Sequence, residues 1–233
     1  METFQGQVQT IMLDEKGDRI AWLHCPAKAI PAPGRYLLAW RSLDVDAPLA
    51  IPIFASAYDK AGFLAVATGP LAWEPGDILQ LRGPLGRGFT IPANIHKLAL
   101  GAFSGQSVRL LPLIVNALAR DIAIALFLDG LLPELSAAVE VHPLGDWQDA
   151  LSWADFLALE LPVSMSPQAS EIMGVQKGFP YVGAPGQVLL LADMPCGGLA
   201  DCGVCSIGAG RNWKLICKDG PVFDLEKVFE LSD

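Results

Sequence analysis

Four cysteines near the C-terminus, Cys196, Cys202, Cys205 and Cys217, carry the most legible chemistry in this chain, in the spacing C-x5-C-x2-C-x11-C. Thiolates so placed can close around a metal ion or an iron-sulfur core. The residues between the first three, Gly197-Gly198-Leu199-Ala200-Asp201 and Gly203-Val204, are small and glycine-rich. Glycine permits the positive φ angles and close backbone approach that let amides hydrogen-bond to cluster sulfur. The plant-type [2Fe-2S] pattern is C-x4-C-x2-C with a distant fourth cysteine. Here the first gap is one residue longer and the fourth cysteine lies nearby.

A four-cysteine zinc site is the main alternative. Zinc ribbons usually offer two C-x2-C knuckles, whereas only Cys202 and Cys205 make one here, so the spacing favours a cluster. Disulfides would need an oxidising compartment. The first twelve residues show no basic stretch leading into an apolar one, and the expected location is therefore cytoplasmic. Cys25, far from the others within an apolar stretch, reads as a buried inert thiol. The dispersed His24, His96 and His142 are given no role, since a lone histidine is more often structural. Hydrolase and nucleotide-triphosphatase motifs are absent.

Three kinds of element must position the cysteine loop. Short strands separated by turns fill the first ninety or so residues, at Phe4 to Leu13, Ile20 to Cys25, Arg35 to Trp40, Ile51 to Tyr58, Gly62 to Ala67 and Ile78 to Leu81. Regular strands with Gly, Pro and Asp turns between them predict a small antiparallel β-barrel. The pattern then changes to strand (Lys97 to Leu100), helix (Val108 to Leu118), strand (Ile122 to Phe127) and helix (Trp147 to Leu159), which predicts a parallel sheet of Rossmann-like type. Pro162 to Gly186 reads as a linker, and Gln187 to Leu191 as the strand that delivers the cysteines. The expected units are 1–92 for the barrel, 93–186 for a degenerate nucleotide-binding α/β domain and 187–233 for the cluster-binding tail.

Composition limits the partners. With 52% hydrophobic and 18% charged residues among 233, apolar surface must be buried in cores or against another subunit, and a hetero-oligomer is expected. A net charge of −9 without a basic run argues against nucleic acid. The most apolar stretch, Ile122 to Leu132, is interrupted by Asp129 and falls well short of the ~20 residues that span a bilayer.

Two strings give the chain a family resemblance. Gly83-Pro84-Leu85-Gly86-Arg87-Gly88-Phe89 is similar to the G-P-L-G-x-G-F turn that ends the flavin-binding barrel in the electron-transfer subunit of NAD-linked dihydroorotate dehydrogenases, a branch of the ferredoxin-reductase superfamily. Cys196-Gly197, Cys202-Gly203-Val204-Cys205 and Cys217-Lys218-Asp219-Gly220-Pro221-Val222-Phe223 resemble that family's cluster loop and its closing C-K-D-G-P-V-F. Pro33-Gly34-Arg35-Tyr36 also looks like the P-G-Q-F that opens a barrel strand in relatives. The resemblance implies an electron-transfer component rather than a complete enzyme. It implies a flavin-reductase-like barrel, a [2Fe-2S] cluster on the four cysteines, FAD held by residues including Pro48, Gly83, Pro84, Leu85, Gly86, Gly88 and Phe89, and a redox partner such as a dihydroorotate-oxidising subunit of pyrimidine biosynthesis. A non-catalytic scaffold with a structural cluster or zinc ion is the alternative.

Departures from the pattern narrow these expectations. The superfamily's R-P-x-S/T flavin motif reads Ala47-Pro48-Leu49-Ala50. Losing a charge-assisted contact of this kind costs about 1.5–3 kcal/mol, which counts against FAD unless Arg35, Arg41, Arg82 or Arg87 replaces the charge. In the glycine cluster that would receive a nicotinamide dinucleotide, the chain reads Gly101-Ala102-Phe103-Ser104-Gly105. A phenyl ring stands where the backbone should approach phosphate, and NAD binding is expected to be weak or absent. Trp213, inside the last cysteine gap, is expected to shield the cluster from water.

Overall fold

The computed structural model describes residues 2–14, 16–41, 50–130, 134–174, 183–209 and 212–229. Six strands close into an antiparallel barrel: β1 (Thr3–Leu13), β2 (Arg19–His24), β3 (Tyr36–Arg41), β4 (Ile51–Tyr58), β5 (Gly62–Ala67) and β6 (Ile78–Leu85), in the order β1-β2-β5-β4-β3-β6. Closure removes the exposed strand edges that an open sheet would leave. Alternate side chains fill the interior, among them Val8, Leu23, Leu37, Ile53, Phe63 and Leu79.

A second sheet follows. Its strands are β7 (Lys97–Ala102), β8 (Ala123–Leu128), β9 (Val139–His142), β10 (Phe156–Pro162), β11 (Gly186–Leu191) and β14 (Val222–Asp224). They lie in the order β14-β11-β10-β7-β8-β9, and only β14 runs antiparallel. Helices α1 (Leu111–Leu118), α2 (Trp147–Trp153) and α3 (Ser166–Ile172) join these strands, and the hairpin β12 (Ser206–Ala209) and β13 (Asn212–Leu215) carries the chain out to α4 (Ile216–Asp219) and back. Helix α5 (Leu225–Phe229) ends the described chain. The segment after residue 187 is woven into this sheet through β11 and β14.

The expected helix from Trp147 to Leu159 is in fact a short helix and a strand. Phe156, Leu157, Ala158, Leu159, Glu160 and Leu161 are all buried, because β10 is central in the sheet and covered on both faces. A run apolar on every side carries no period that separates strand from helix. Within the expected linker, Ser166–Ile172 is helical.

Barrel and sheet are joined by a buried ion pair. Glu160 at the end of β10 meets Arg109, just before α1, at 3.0 Å, and the two side chains are 0% and 7% exposed. Arg109 also donates to the carbonyl of Ala67 in β5 at 2.7 Å, and its guanidinium lies 5.8 Å from the centre of the Phe54 ring in β4. Ser104 donates its hydroxyl to Glu160 at 2.9 Å. Burial pushes the Glu160 carboxyl above its ordinary range, opposed by Arg109 and the Ser104 hydroxyl. Two further contacts cross this junction, Lys16 Nζ to the Ser104 carbonyl and Gln106 Nε2 to Asp14 Oδ2, each at 2.7 Å.

Removing one partner of such a pair leaves a buried charge unmatched. Arg109→Met is therefore expected to lower unfolding stability by about 3–5 kcal/mol. Arg109→Met combined with Glu160→Met recovers most of that loss. Urea unfolding of the two variants checks this, and equal losses in both would contradict it.

Candidate functional site

The four cysteines converge as two pairs. Cys196 and Cys202 sit at the two ends of the glycine-rich loop, and the Cys202 thiol hydrogen-bonds to the Cys196 sulfur. Cys205, before β12, and Cys217, in α4, are likewise neighbouring free thiols, and both Cys205 and Cys196 act electrostatically on Cys217. The β12–β13 hairpin makes the second pair possible, since antiparallel pairing sets Ser206 opposite Leu215. Ile216 then donates its N–H to the Cys205 carbonyl at 3.0 Å. Cys205 and Cys217 are buried, Cys196 is partly covered and Cys202 is exposed.

Loop geometry aims amides inward. Gly197, Gly198, Ala200 and Gly203 have φ of 57°, 72°, 67° and 71°, the left-handed conformations that turn successive N–H groups to one side. Burial raises the Cys196 thiol, but the Cys202 thiol and the N–H groups of Asp201, Cys202 and Ala200 outweigh it and bring it down to about 6. Cys217 is pushed up to about 12, by burial first and then by its Cys205 neighbour. Among the described residues no three His, Cys, Asp or Glu side chains are grouped so as to hold a metal ion as they stand. Cys196, Cys205 and Cys217 all act electrostatically on the Tyr36 hydroxyl, so thiols of both pairs face the same barrel residue. Trp213 is 78% exposed, because the hairpin projects it into solvent, and it does not give the loop the expected shielding.

The two family-like strings meet in space. Arg87 donates its N–H to the Gly220 carbonyl at 2.6 Å, Val222 donates to the Arg87 carbonyl at 3.3 Å, and Leu190 of β11 donates to the Pro221 carbonyl at 3.0 Å. Residues 220–222 are thus bonded to the sheet on one side and to the barrel turn on the other. The fit is tight: a Cβ on Gly86, whose φ is +70°, would lie 2.6 Å from the Gly220 oxygen.

Other donors of the turn bond within the barrel region. Phe89 donates its N–H to the Pro33 carbonyl at 2.9 Å and Gly83 donates to Glu2 at 3.1 Å. Arg35 spans the turn, donating to the carbonyls of Gly86 at 3.1 Å and Pro84 at 2.6 Å. Arg41 lies 3.8 Å from Asp77 and Arg87 lies 3.5 Å from Asp224, while Arg82 donates to the Gly197 carbonyl at 3.1 Å. Each arginine named as a candidate for the flavin phosphates thus has a partner within the protein. Leu85 and Gly86 line a cavity of about 410 Å³ together with Tyr36, Leu199, Ala200 and Cys217. Pro48 lies outside the described residues.

At the carboxyl ends of the parallel strands, where α/β sheets place ligands, Trp147 fills the approach. It is fully buried, and its ring would lie 2.9 Å from a Cβ on Gly101. Phe103 and Phe127 meet it edge-on, with ring centres 6.1 and 5.2 Å away. The amides opening α1 are turned to the Ser107 carbonyl, which accepts from Leu110 at 2.8 Å and Leu111 at 3.2 Å. Beside these residues a cavity of about 460 Å³ is bounded by Lys16, Thr68, Ser104, Arg109 and Pro162, with Val204 of the cysteine loop on its far side. Sequence reasoning missed the Arg109–Glu160 pair, since no local spacing marks it.

Comparison with known proteins finds similarity in the tail and in the fold. Residues 193–229 match the model of the iron-sulfur cluster binding domain of dihydroorotate dehydrogenase B. The match takes in all four cysteines and the C-K-D-G-P-V-F string. The chain is also 53% identical over 36 residues to the sulfhydrogenase 1 subunit gamma of Pyrococcus furiosus, a match covering 16% of this chain and 12% of that one. A chain from the structure of the NADH-dependent reduced ferredoxin-NADP oxidoreductase, reported in connection with flavin-based electron bifurcation, superposes with a TM-score of 0.70 at 17% identity, covering 96% of this chain and 89% of the other. The ferredoxin-NADP+ reductase of Plasmodium falciparum superposes with a TM-score of 0.53 at 10% identity, over 76% of this chain and 91% of that one. The barrel and sheet therefore have the ferredoxin-reductase fold, as the resemblance implied. Among the described residues no helix is long and apolar enough to cross a membrane.

The contact between turn and tail is open to direct test. Gly86→Ala places a Cβ against the Gly220 backbone at a positive φ, and the left-handed conformation alone costs about 1–2 kcal/mol. The variant is expected to lose at least that much stability by denaturant unfolding and to hold less iron per chain. Stability and iron content equal to the parent would show that the barrel turn does not support the tail.

Proposed function

We propose that this protein is the electron-transfer subunit of a multi-subunit redox complex, carrying a [2Fe-2S] cluster on Cys196, Cys202, Cys205 and Cys217. The pairing of the cysteines carries this assignment. A zinc ion wants four sulfurs at about 2.3 Å around one centre, whereas a two-iron core takes two thiolates on each iron, and the Cys196/Cys202 and Cys205/Cys217 pairs suit that division. Inward amides from Ala200, Asp201 and Cys202 suit the sulfur-rich, negatively charged core. When bound, the cluster supplies one-electron transfer. The chain's own residues hold it, partly exclude water through the burial of Cys205 and Cys217, and leave the Cys202 edge accessible.

Protein partners fit this site better than a nucleotide does. Leu199 and Val204, flanking exposed Cys202, are 54% and 60% exposed, an apolar rim of the kind that partners cover. A nicotinamide dinucleotide does not fit the α/β unit, where Trp147 and Phe103 occupy the glycine approach and the α1 amides bond internally. For FAD, the ferredoxin-reductase fold is the support. The G-P-L-G-R-G-F turn offers it little, because the amides of Gly83, Arg87 and Phe89 and the neighbouring arginines bond to the protein itself. We further propose the units 1–92, 93–186 and 187–233 as barrel, α/β domain and cluster-binding segment, the last two sharing one sheet. A dihydroorotate-oxidising subunit is one partner that the domain match suggests; co-purification from the source organism identifies the actual one.

Protein purified without oxygen is expected to be red-brown, with two irons and two acid-labile sulfides per chain. Cys217→Ser and Cys205→Ser should lose the colour and most of the iron. Calorimetry should show no saturable NADH binding at millimolar concentration, and the absorption spectrum reads flavin content in the same sample. A colourless protein with one zinc per chain would overturn the cluster.

A further inference from the structure

The barrel reaches the cysteine loop through two side chains that the family-like motifs do not account for. Tyr36 opens β3 and is completely buried, and its hydroxyl donates to the main-chain carbonyl of Cys217 at 2.7 Å. The string similar to P-G-Q-F ends here in tyrosine, so that hydroxyl is this chain's addition to the pattern. Gly198 packs beneath it: a Cβ there would sit 3.1 Å from the Tyr36 oxygen and 3.2 Å from Leu38. Arg82, on the adjacent strand β6, donates Nη2 to the Gly197 carbonyl at 3.1 Å, directly after Cys196. Its Nε is buried without a hydrogen-bond partner among the described residues. Tyr36 and Arg82 are close enough for the cation to act on the Tyr36 hydroxyl. One barrel residue therefore grips each end of the ligand set, Arg82 beside the first cysteine and Tyr36 on the last.

We infer that Arg82 and Tyr36 are positioning residues for the iron-sulfur cluster, and that the Arg82 cation raises the cluster's reduction potential. This rests on the cluster proposed above. Reduction adds one electron to a core whose four thiolate ligands already make it negative, so a fixed cation beside it favours the reduced form. Arg82 is partly buried, and solvent and salt screen it less than a surface charge. Tyr36 acts differently. Its hydroxyl binds a carbonyl rather than a sulfur, and it holds the Cys217 main chain in place, where that thiolate would serve as a ligand.

The test uses the full-length chain loaded with iron and sulfide under anaerobic conditions, titrated potentiometrically with the reduced cluster followed by electron paramagnetic resonance. Arg82→Gln is expected to lower the midpoint potential of the clusters it holds, read in the loaded fraction. Arg82→Lys, which keeps the cation, should stay near the parent value, a rescue that a merely structural role would not give. Arg82→Met is the second neutral variant should Arg82→Gln fold poorly. Tyr36→Phe should lose iron to bathophenanthroline several-fold faster than the parent. A parent-like potential in the neutral Arg82 variants would overturn the electrostatic role. Iron loss at the parent rate in Tyr36→Phe would overturn the positioning role. A parent chain that takes up no iron would instead overturn the cluster itself, a distinct result.

Discussion

The hydrogen bond from the Arg87 N–H to the Gly220 carbonyl, at 2.6 Å, is the constraint on which the site depends. It joins a barrel turn to a tail segment more than a hundred residues later. With the return bond from Val222 to Arg87, it makes residues 220–222 a ribbon held between barrel and sheet. Cys217 is three residues upstream of that ribbon, and Tyr36 in the same barrel reaches its carbonyl. Once the ribbon is fixed, the last cysteine has little freedom, and the loop carrying the other three must close toward it.

This arrangement explains why a glycine-rich loop can serve as a stable ligand set. Glycine and positive φ are entropically expensive to order, so such a loop needs external anchors. Here Arg82 and Tyr36 provide them from the barrel, and Cys205 is tied to α4 through the Ile216 amide. The exposed edge at Cys202 remains open, flanked by Leu199 and Val204. Rigidity on one side and accessibility on the other suit a site that exchanges electrons with another protein.

The α/β half also braces the molecule. Trp147, Phe103 and Phe127 fill the strand ends with a buried aromatic cluster, and the Arg109–Glu160 pair spans from this sheet to β5. These contacts stiffen the junction between barrel and sheet. Fixed domains preserve the geometry between barrel residues and cluster loop, which both Arg82 and Tyr36 require.

Taken alone, the sequence determined what is local. Ligand spacing, glycine content and the C-K-D-G-P-V-F string identified the tail, because metal ligation depends on residue type over a short span. Barrel strands were legible because turn chemistry and alternation are local as well. Tertiary structure decided the rest. Whether residues 156–161 are strand or helix depended on neighbours covering both faces, and Arg109 met Glu160 only because β10 lies beside β7 with the barrel packed above. Arg82 was one of four arginines able to replace the missing flavin charge, and the closed barrel brings it to the Gly197 carbonyl. Such contacts join residues far apart in the chain, and no local pattern encodes which of them will meet.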